Sequence, residues 1–277
     1  MKPLLFVLPG LHIPFYSYGV MLVLSLAAAL VWVPWLCKRE GMAEDAVERI
    51  NNVCILGSLV GAKLLFVLTN LHRDDLRSLF FSTGGLVAYG ALIGGYGLAA
   101  LYCWRRHLPL HVWADNAVFS LSLAFGLVRI GCFLSGCDFG RVVDSDAWYG
   151  VRFPEGSPAF LLHQAQFPEL MKGATRSLPV HPTQLYESLL GFALLPLMAL
   201  VRRYRRALGE TFLAFLVCYG IGRFLLERLR GDDDRGAVGA LSTSTLIAVA
   251  SILCAGLLWV ALRRRHPKVA PATNIPG

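Results

Sequence analysis

VWADNAVFSLSLAFGLVRIGCFLSGCDFGR, residues 112–141, begins as an apolar run long enough to cross a hydrocarbon core of about 30 Å. Yet it keeps Arg129 inside the run and follows it with Cys132, Cys137, Asp138 and Arg141, with glycines at 126, 131, 136 and 140. A cation at the centre of a bilayer costs about 2.5–3.5 kcal/mol on insertion scales, so an intramembrane arginine marks a polar cavity and a functional site by default.

Outward from this stretch the whole chain is oily. Of its 277 residues 56% are hydrophobic and 16% charged, and its mean hydropathy is positive. That is too apolar for a soluble domain of this size. Spans are expected near 13–36, 50–70, 84–104, 112–134, 184–201, 210–229 and 239–262. The fold class is therefore all-α: a polytopic membrane protein of about seven transmembrane helices, with a small head loop at 138–180. One membrane domain covers 1–265, and the polar, Pro-rich tail at 266–277 is expected to be disordered. The first run lacks a small-residue cleavage site and is followed by Lys38 and Arg39, which makes it a retained helix.

Basic residues fall at every second connection: Lys38, Arg39 and Arg49, then Arg105 and Arg106, then Arg202, Arg203, Arg205 and Arg206, then Arg263, Arg264, Arg265 and Lys268. The positive-inside rule places these in the cytoplasm, the N-terminus and head loop outside, and the C-terminus inside. The net charge of +8 sits in these clusters, not along one polar face, which argues against a nucleic-acid partner. The seven cysteines are scattered, mostly within apolar runs, and form neither a disulfide framework nor a zinc spacing.

With about 1.5 Å of rise per residue, Arg129 lies some 25 Å along its span and Arg223 some 20 Å along another, both toward the outer side. Glu227 and Arg230 follow Arg223. Tyr18 and Tyr89 fall in the outer thirds of their spans, and His181, Gln184, Tyr186 and Glu187 open another outside. Ionisable residues on one level imply a shared polar cavity. The plainer alternative is ion pairing that only holds helices together, as for Arg223 and Glu227 at i, i+4. An outward pocket with two arginines suits a phosphate, and there the abundant phosphate is a phospholipid head group. Gly90 and Gly94, four apart, permit close helix packing or a backbone thinned to admit lipid. Lys63 reads as a snorkelling or structural residue.

Several stretches carry a resemblance. "YSYG" (16–19), "GGLVAYGALIGG" (84–95), "VRIGCFLSGCDFGR" (128–141), "HPTQLYES" (181–188) and "YGIGRFLLERLR" (219–230) resemble, in order, segments of the bacterial prolipoprotein diacylglyceryl transferase family. The resemblance implies a multi-pass inner-membrane enzyme with its active side facing the periplasm. Its partners would be phosphatidylglycerol and a prolipoprotein signal peptide. The enzyme would move the lipid's diacylglyceryl group onto the lipobox cysteine thiol, forming a thioether and releasing glycerol phosphate. No metal or other cofactor is implied. Carried over by motif, Arg129 and Arg223 match essential arginines expected to hold the lipid phosphate, and Tyr18 a functional tyrosine. Tyr89 stands where some members have a histidine proposed to activate the thiol. Glu227 and Arg230 match the acidic and basic residues after the second arginine, and Gly140 a signature glycine. Gly90, Gly94, Gly131 and Gly140 are expected to let backbone and lipid approach closely. His181 is either a base or only an anchor for the end of its helix.

Some positions depart from the family pattern. Many members have Asn at Cys132 and an acidic residue at Cys137; Asp138 and Ala91 differ, and Thr245 stands where glutamine is usual. On one continuous helix the two sulfurs would point about 140° apart, so they meet only if the helix ends between them. Three rivals remain open: a paralogue with another acceptor, a membrane thiol oxidoreductase using Cys132 and Cys137, and an anion transporter, although no CxxC motif and no internal repeat is present. The head loop reads as a peptide-admitting head, a surface-lying segment or a packed lid.

Overall fold

A computed structural model describes residues 4–7, 14–71, 75–81, 85, 87–231, 237–238 and 241–265. The tail expected to be disordered, 266–277, lies outside the described residues. The chain divides into two compact units, Met1–Ala29 with Ala117–Gly277, and Leu30–Asn116.

Helices dominate, with short strands that the all-α expectation did not contain. In the first unit a hairpin pairs β1 (Leu4–Val7) with β2 (Pro14–Tyr16), and α1 (Ser17–Lys38) starts after it. The apolar run from 13 thus opens as strand, where Pro14 lacks the N–H a helix interior needs. Next come α5 (Leu110–Ser135), which belongs to this unit from Ala117 onward, α6 (Pro158–Gln166), α7 (Thr183–Tyr204) and α8 (Glu210–Glu227). A second hairpin, β3 (Ala237–Val238) with β4 (Leu241–Ser242), leads into α9 (Thr243–Arg265). The other unit holds α2 (Glu44–Asn70), α3 (Leu76–Phe81) and α4 (Ala88–Arg106).

Among the described residues, five helices are long and apolar enough to cross a membrane: α1, α2, α5, α7 and the part of α9 from Thr245 to Arg265. The two other expected spans form helices, but their composition is diluted. Glycines and tyrosines interrupt α4, and α8 carries Glu210, Arg223 and Glu227 within its 18 residues.

In the Leu30–Asn116 unit, α2 and α4 approach through glycine. A Cβ at Gly94 would meet the Gly57 carbonyl oxygen, and one at Gly90 the Gly61 carbonyl oxygen. Without side chains the two backbones touch directly, which is how helices gain van der Waals contact in lipid. Lys63 lies on α2 with its ammonium 5.2 Å from the Phe66 ring centroid.

Residues 138–180 form a folded segment. Val180 bridges both Val142 and Val151, and Pro154 bridges Arg176. Phe139, Phe153, Ala159 and Val180 form a buried cluster, with Phe133, Val151 and Leu162 packed against it. Ser157 caps α6 by accepting from the Phe160 N–H.

Candidate functional site

The site is built where α5 stops. Gly136 adopts a left-handed φ of 77°, and its N–H donates to Cys132 O at 2.8 Å, closing the helix as a C-terminal glycine does. Asp138 follows at φ 55°, unusual for a residue with a side chain. The start of α7 holds this turn in place. Thr183 Oγ1 donates to the Asp138 carbonyl at 3.0 Å, Gln184 Nε2 to the Cys137 carbonyl at 2.7 Å, and Ser188 Oγ to the Gly126 carbonyl at 2.9 Å. "HPTQLYES" is therefore a clamp: one face of the first turns of α7 binds two carbonyls of the turn that follows α5 and one carbonyl within α5.

Glu187, on the same face of α7, enters an ion-pair network. Its carboxylate accepts from Arg129 Nε and, at 2.6 Å, from Arg223 Nη1, and stands 3.7 Å from Arg230 Nη1. Asp138 pairs with Arg129 Nη1 and with Arg230 Nη2, both at 2.7 Å, and Glu227 with Arg223 Nη2 at 2.7 Å. Among the described residues three guanidiniums thus face three carboxylates. Burial pushes the Asp138 carboxyl up, but the Arg129 and Arg230 guanidiniums beside it hold it below the usual carboxylate range.

The three arginines are not equivalent. Arg223 and Arg230 have side chains only 7% and 5% exposed, whereas that of Arg129 is 21% exposed. Its Nη2 has no partner among the described residues, since its ion pairs use Nε and Nη1. Arg129, Arg223 and Glu187 line one cavity of about 10 Å³ with Phe125, Leu190 and Tyr219. That volume holds about one water, so a head group enters only if the lining side chains move. Tyr219 stacks on Phe125 at 4.5 Å and on Phe215 at 5.8 Å, giving the cavity a rigid aromatic side.

Such a site can fix a phosphate against one partly exposed guanidinium fork while two deeper arginines set the local field. The sequence model of a family described as prolipoprotein diacylglyceryl transferase matches residues 3–261. The chain belongs to that family. Similar proteins named phosphatidylglycerol–prolipoprotein diacylglyceryl transferase occur in Clostridium tetani, 35% identical over 91% of this chain and 94% of the relative, and in Geobacter sulfurreducens, 30% identical over 94% and 95%. One numbered 2 from Clostridium perfringens is 33% identical over 88% and 89%.

Against the diacylglyceryl transferase resemblance, the structure gathers Arg129, Arg223, Glu227 and Arg230 into one network. Gly131 packs on α1: a Cβ there would lie 2.9 Å from the Tyr18 Cα. Tyr18 itself is exposed, beside the end of α5. Gly140 is enclosed by backbone, where a Cβ would stand 2.6 Å from His181 O and 2.8 Å from Leu229 O. The backbone of His181 anchors this crossing, accepting from the Gly140 N–H and donating to Arg141 O, both at 3.0 Å. Its ring stacks on Tyr149 at 5.1 Å, and its buried Nδ1 has no partner among the described residues. Tyr89 is half-buried on α4, in the other unit, and Gly90 and Gly94 face α2 as described.

Sequence reasoning counted Glu187 among the polar residues of a shared cavity but gave it no role of its own, although it ties the network together. Glu187 was visible as an acid one turn into an apolar helix, and such a carboxylate needs a buried cation. Asp138, noted beside Arg129 in the sequence and as a departure from the family pattern, is the second bridging carboxylate. Tyr219 was hidden, because an aromatic at helical spacing looks like ordinary lipid-facing or core packing.

Proposed function

We propose that this protein is a phosphatidylglycerol–prolipoprotein diacylglyceryl transferase of the bacterial inner membrane, catalysing the first step of lipoprotein maturation. The observation that carries the reading is that Arg129 and Arg223, 94 positions apart in sequence, wall one cavity and share the Glu187 carboxylate.

In this reading the lipobox thiolate attacks the glyceryl carbon of phosphatidylglycerol. A C–S bond forms, the bond between that carbon and the phosphate ester oxygen breaks, and glycerol phosphate leaves with the electron pair. The thiol proton passes to a base, for which Tyr89 and His181 are the titratable candidates and Tyr18 a further functional tyrosine. A phosphodiester becoming a monoester gains negative charge, so donors fixed beforehand stabilise the transition state more than the bound lipid. Arg129, with Nη2 unspent, takes the phosphate. Arg223 and Arg230, held by Glu187, Glu227 and Asp138, keep it in register. Gly131 and Gly140 serve by close backbone approach.

Seven spans, α1, α2, α4, α5, α7, α8 and α9, account for the alternation of basic connections. On the positive-inside rule this reading puts the N-terminus and the 138–180 head in the periplasm and the tail at 266–277 in the cytoplasm. Purified protein is incubated with phosphatidylglycerol and a lipobox peptide, and the peptide is weighed by mass spectrometry. A peptide heavier by one diacylglyceryl group is expected, with Arg129→Ala and Arg223→Ala inactive although inserted. Wild-type turnover in either variant, or an unmodified peptide with wild-type protein, overturns the proposal.

A further inference from the structure

Two thiols stand at the edge of the network, where Arg129 Nη1 donates to Cys132 Sγ at 4.0 Å. The Cys132 and Cys137 sulfurs and a carboxylate oxygen of Asp138 lie within 4.8 Å of one another, and Cys132 Sγ donates to Asp138 Oδ2 at 3.3 Å. Both thiols are free. Their spacing in sequence matches no zinc motif, and the end of α5 is what brings them together. The left-handed Gly136 turns the chain back, so that Cys137 N–H donates to Cys132 O at 3.2 Å and Cys137 Sγ reaches the same oxygen at 3.7 Å.

We propose that Cys132, Cys137 and Asp138 form a binding site for a thiophilic d10 cation, with Zn²⁺ as the type. Two thiolates and one carboxylate are a borderline-soft donor set that selects such ions over Mg²⁺ or Ca²⁺. With Zn–S near 2.3 Å and Zn–O near 2.0–2.2 Å, ligand atoms already this close need only a small side-chain closure to share one ion.

Charge balance permits it beside two guanidiniums. A dication displaces the two thiol protons, so the cluster's net charge is unchanged. The donors rest on fixed backbone, because Thr183 and Gln184 clamp the carbonyls of residues 138 and 137. Arg129, on the Oδ2 that Cys132 also meets, and Arg230, on Oδ1, hold the Asp138 carboxylate in place, as outer partners of a metal ligand do. Three protein ligands leave one position of a tetrahedral ion open.

Full-length protein in detergent, reduced and stripped of metal, is titrated with Cd²⁺, whose thiolate complexes absorb in the ultraviolet by charge transfer. One equivalent binding through two thiolates is expected. Cys132→Ser and Cys137→Ser each weaken binding by about tenfold or more, and Asp138→Asn weakens it while keeping the charge-transfer band. On the wild-type protein, Zn²⁺ slows mixed-disulfide formation at Cys137 by a small methanethiosulfonate, which releases methanesulfinate, while exposed Cys254 reacts at an unchanged rate. Equal Cys137 labelling with and without Zn²⁺ overturns the proposal, as does Cd²⁺ binding that survives in the Cys132→Ser/Cys137→Ser protein. A Cys132–Cys137 disulfide whose reduced form takes up no ion also overturns it. Peptide lipidation measured on the same preparations tests the transferase reading separately.

Discussion

Glu187→Gln is the substitution on which the network reading stands or falls. The change is nearly isosteric and removes one negative charge that Arg129, Arg223 and Arg230 share. Glu187 and the two deeper arginines are almost fully enclosed, so water does little to screen the uncompensated charge. Breaking a buried pair by deleting one partner costs about 3–5 kcal/mol, and Arg223, which meets Glu187 at 2.6 Å, bears most of it. The chemistry suffers in addition. The amide keeps one acceptor oxygen where Arg129 Nε and Arg223 Nη1 each used their own, so one of the two is turned away, and one misaimed donor to a developing phosphate charge costs about 10²–10³ in rate, or roughly 2.7–4 kcal/mol. Heating curves of the protein in lipid nanodiscs check the first figure, and kcat/KM for lipobox peptide at saturating phosphatidylglycerol checks the second. Glu187→Asp keeps the charge on a shorter stem and is expected to fall between. A Glu187→Gln protein within twofold of wild type in kcat/KM, with an unshifted melting curve, would refute the idea that this carboxylate organises the arginines.

Three further outcomes follow from the same geometry. Gly140→Ala forces a Cβ against two backbone oxygens that cannot yield, at a cost of about 1–3 kcal/mol, and lowers transfer by displacing the chain between Asp138 and His181; thermal stability and turnover fall together. Gly94→Ala drives α2 from α4 by a similar amount while leaving the arginine network intact, so melting shifts more than kcat/KM does. Because Asp138 is held below its unfolded value of about 3.9, its contribution to stability is fully present above that value and is lost as pH falls through the lowered folded value. The stability gap between wild type and Asp138→Asn is therefore full near about pH 6 and closes only below about pH 4, as melting curves across pH will show.

The membrane class, the approximate spans, the clustering of charge on one level and the family motifs were all legible in the residues. Hydropathy and the rise per residue are local properties that a chain carries whatever it packs against. Expected and observed helices agree to within a few residues for 112–134, which became Leu110–Ser135, and for 184–201, which became Thr183–Tyr204. The strand at Pro14–Tyr16 and the folded core of 138–180 were not legible, since each depends on a partner distant in sequence. Nor was the choice between packing and lipid at Gly90 and Gly94: small-residue spacing shows that something approaches, and the position of α2 decides what. Composition likewise placed Arg129 and Arg223 at one depth but not their partners, because which carboxylate meets which guanidinium depends on how each helix is rotated about its axis. That rotation, and the Gly136 turn that ends α5 and brings Cys137 and Asp138 back toward Arg129, were decided only when the helices packed.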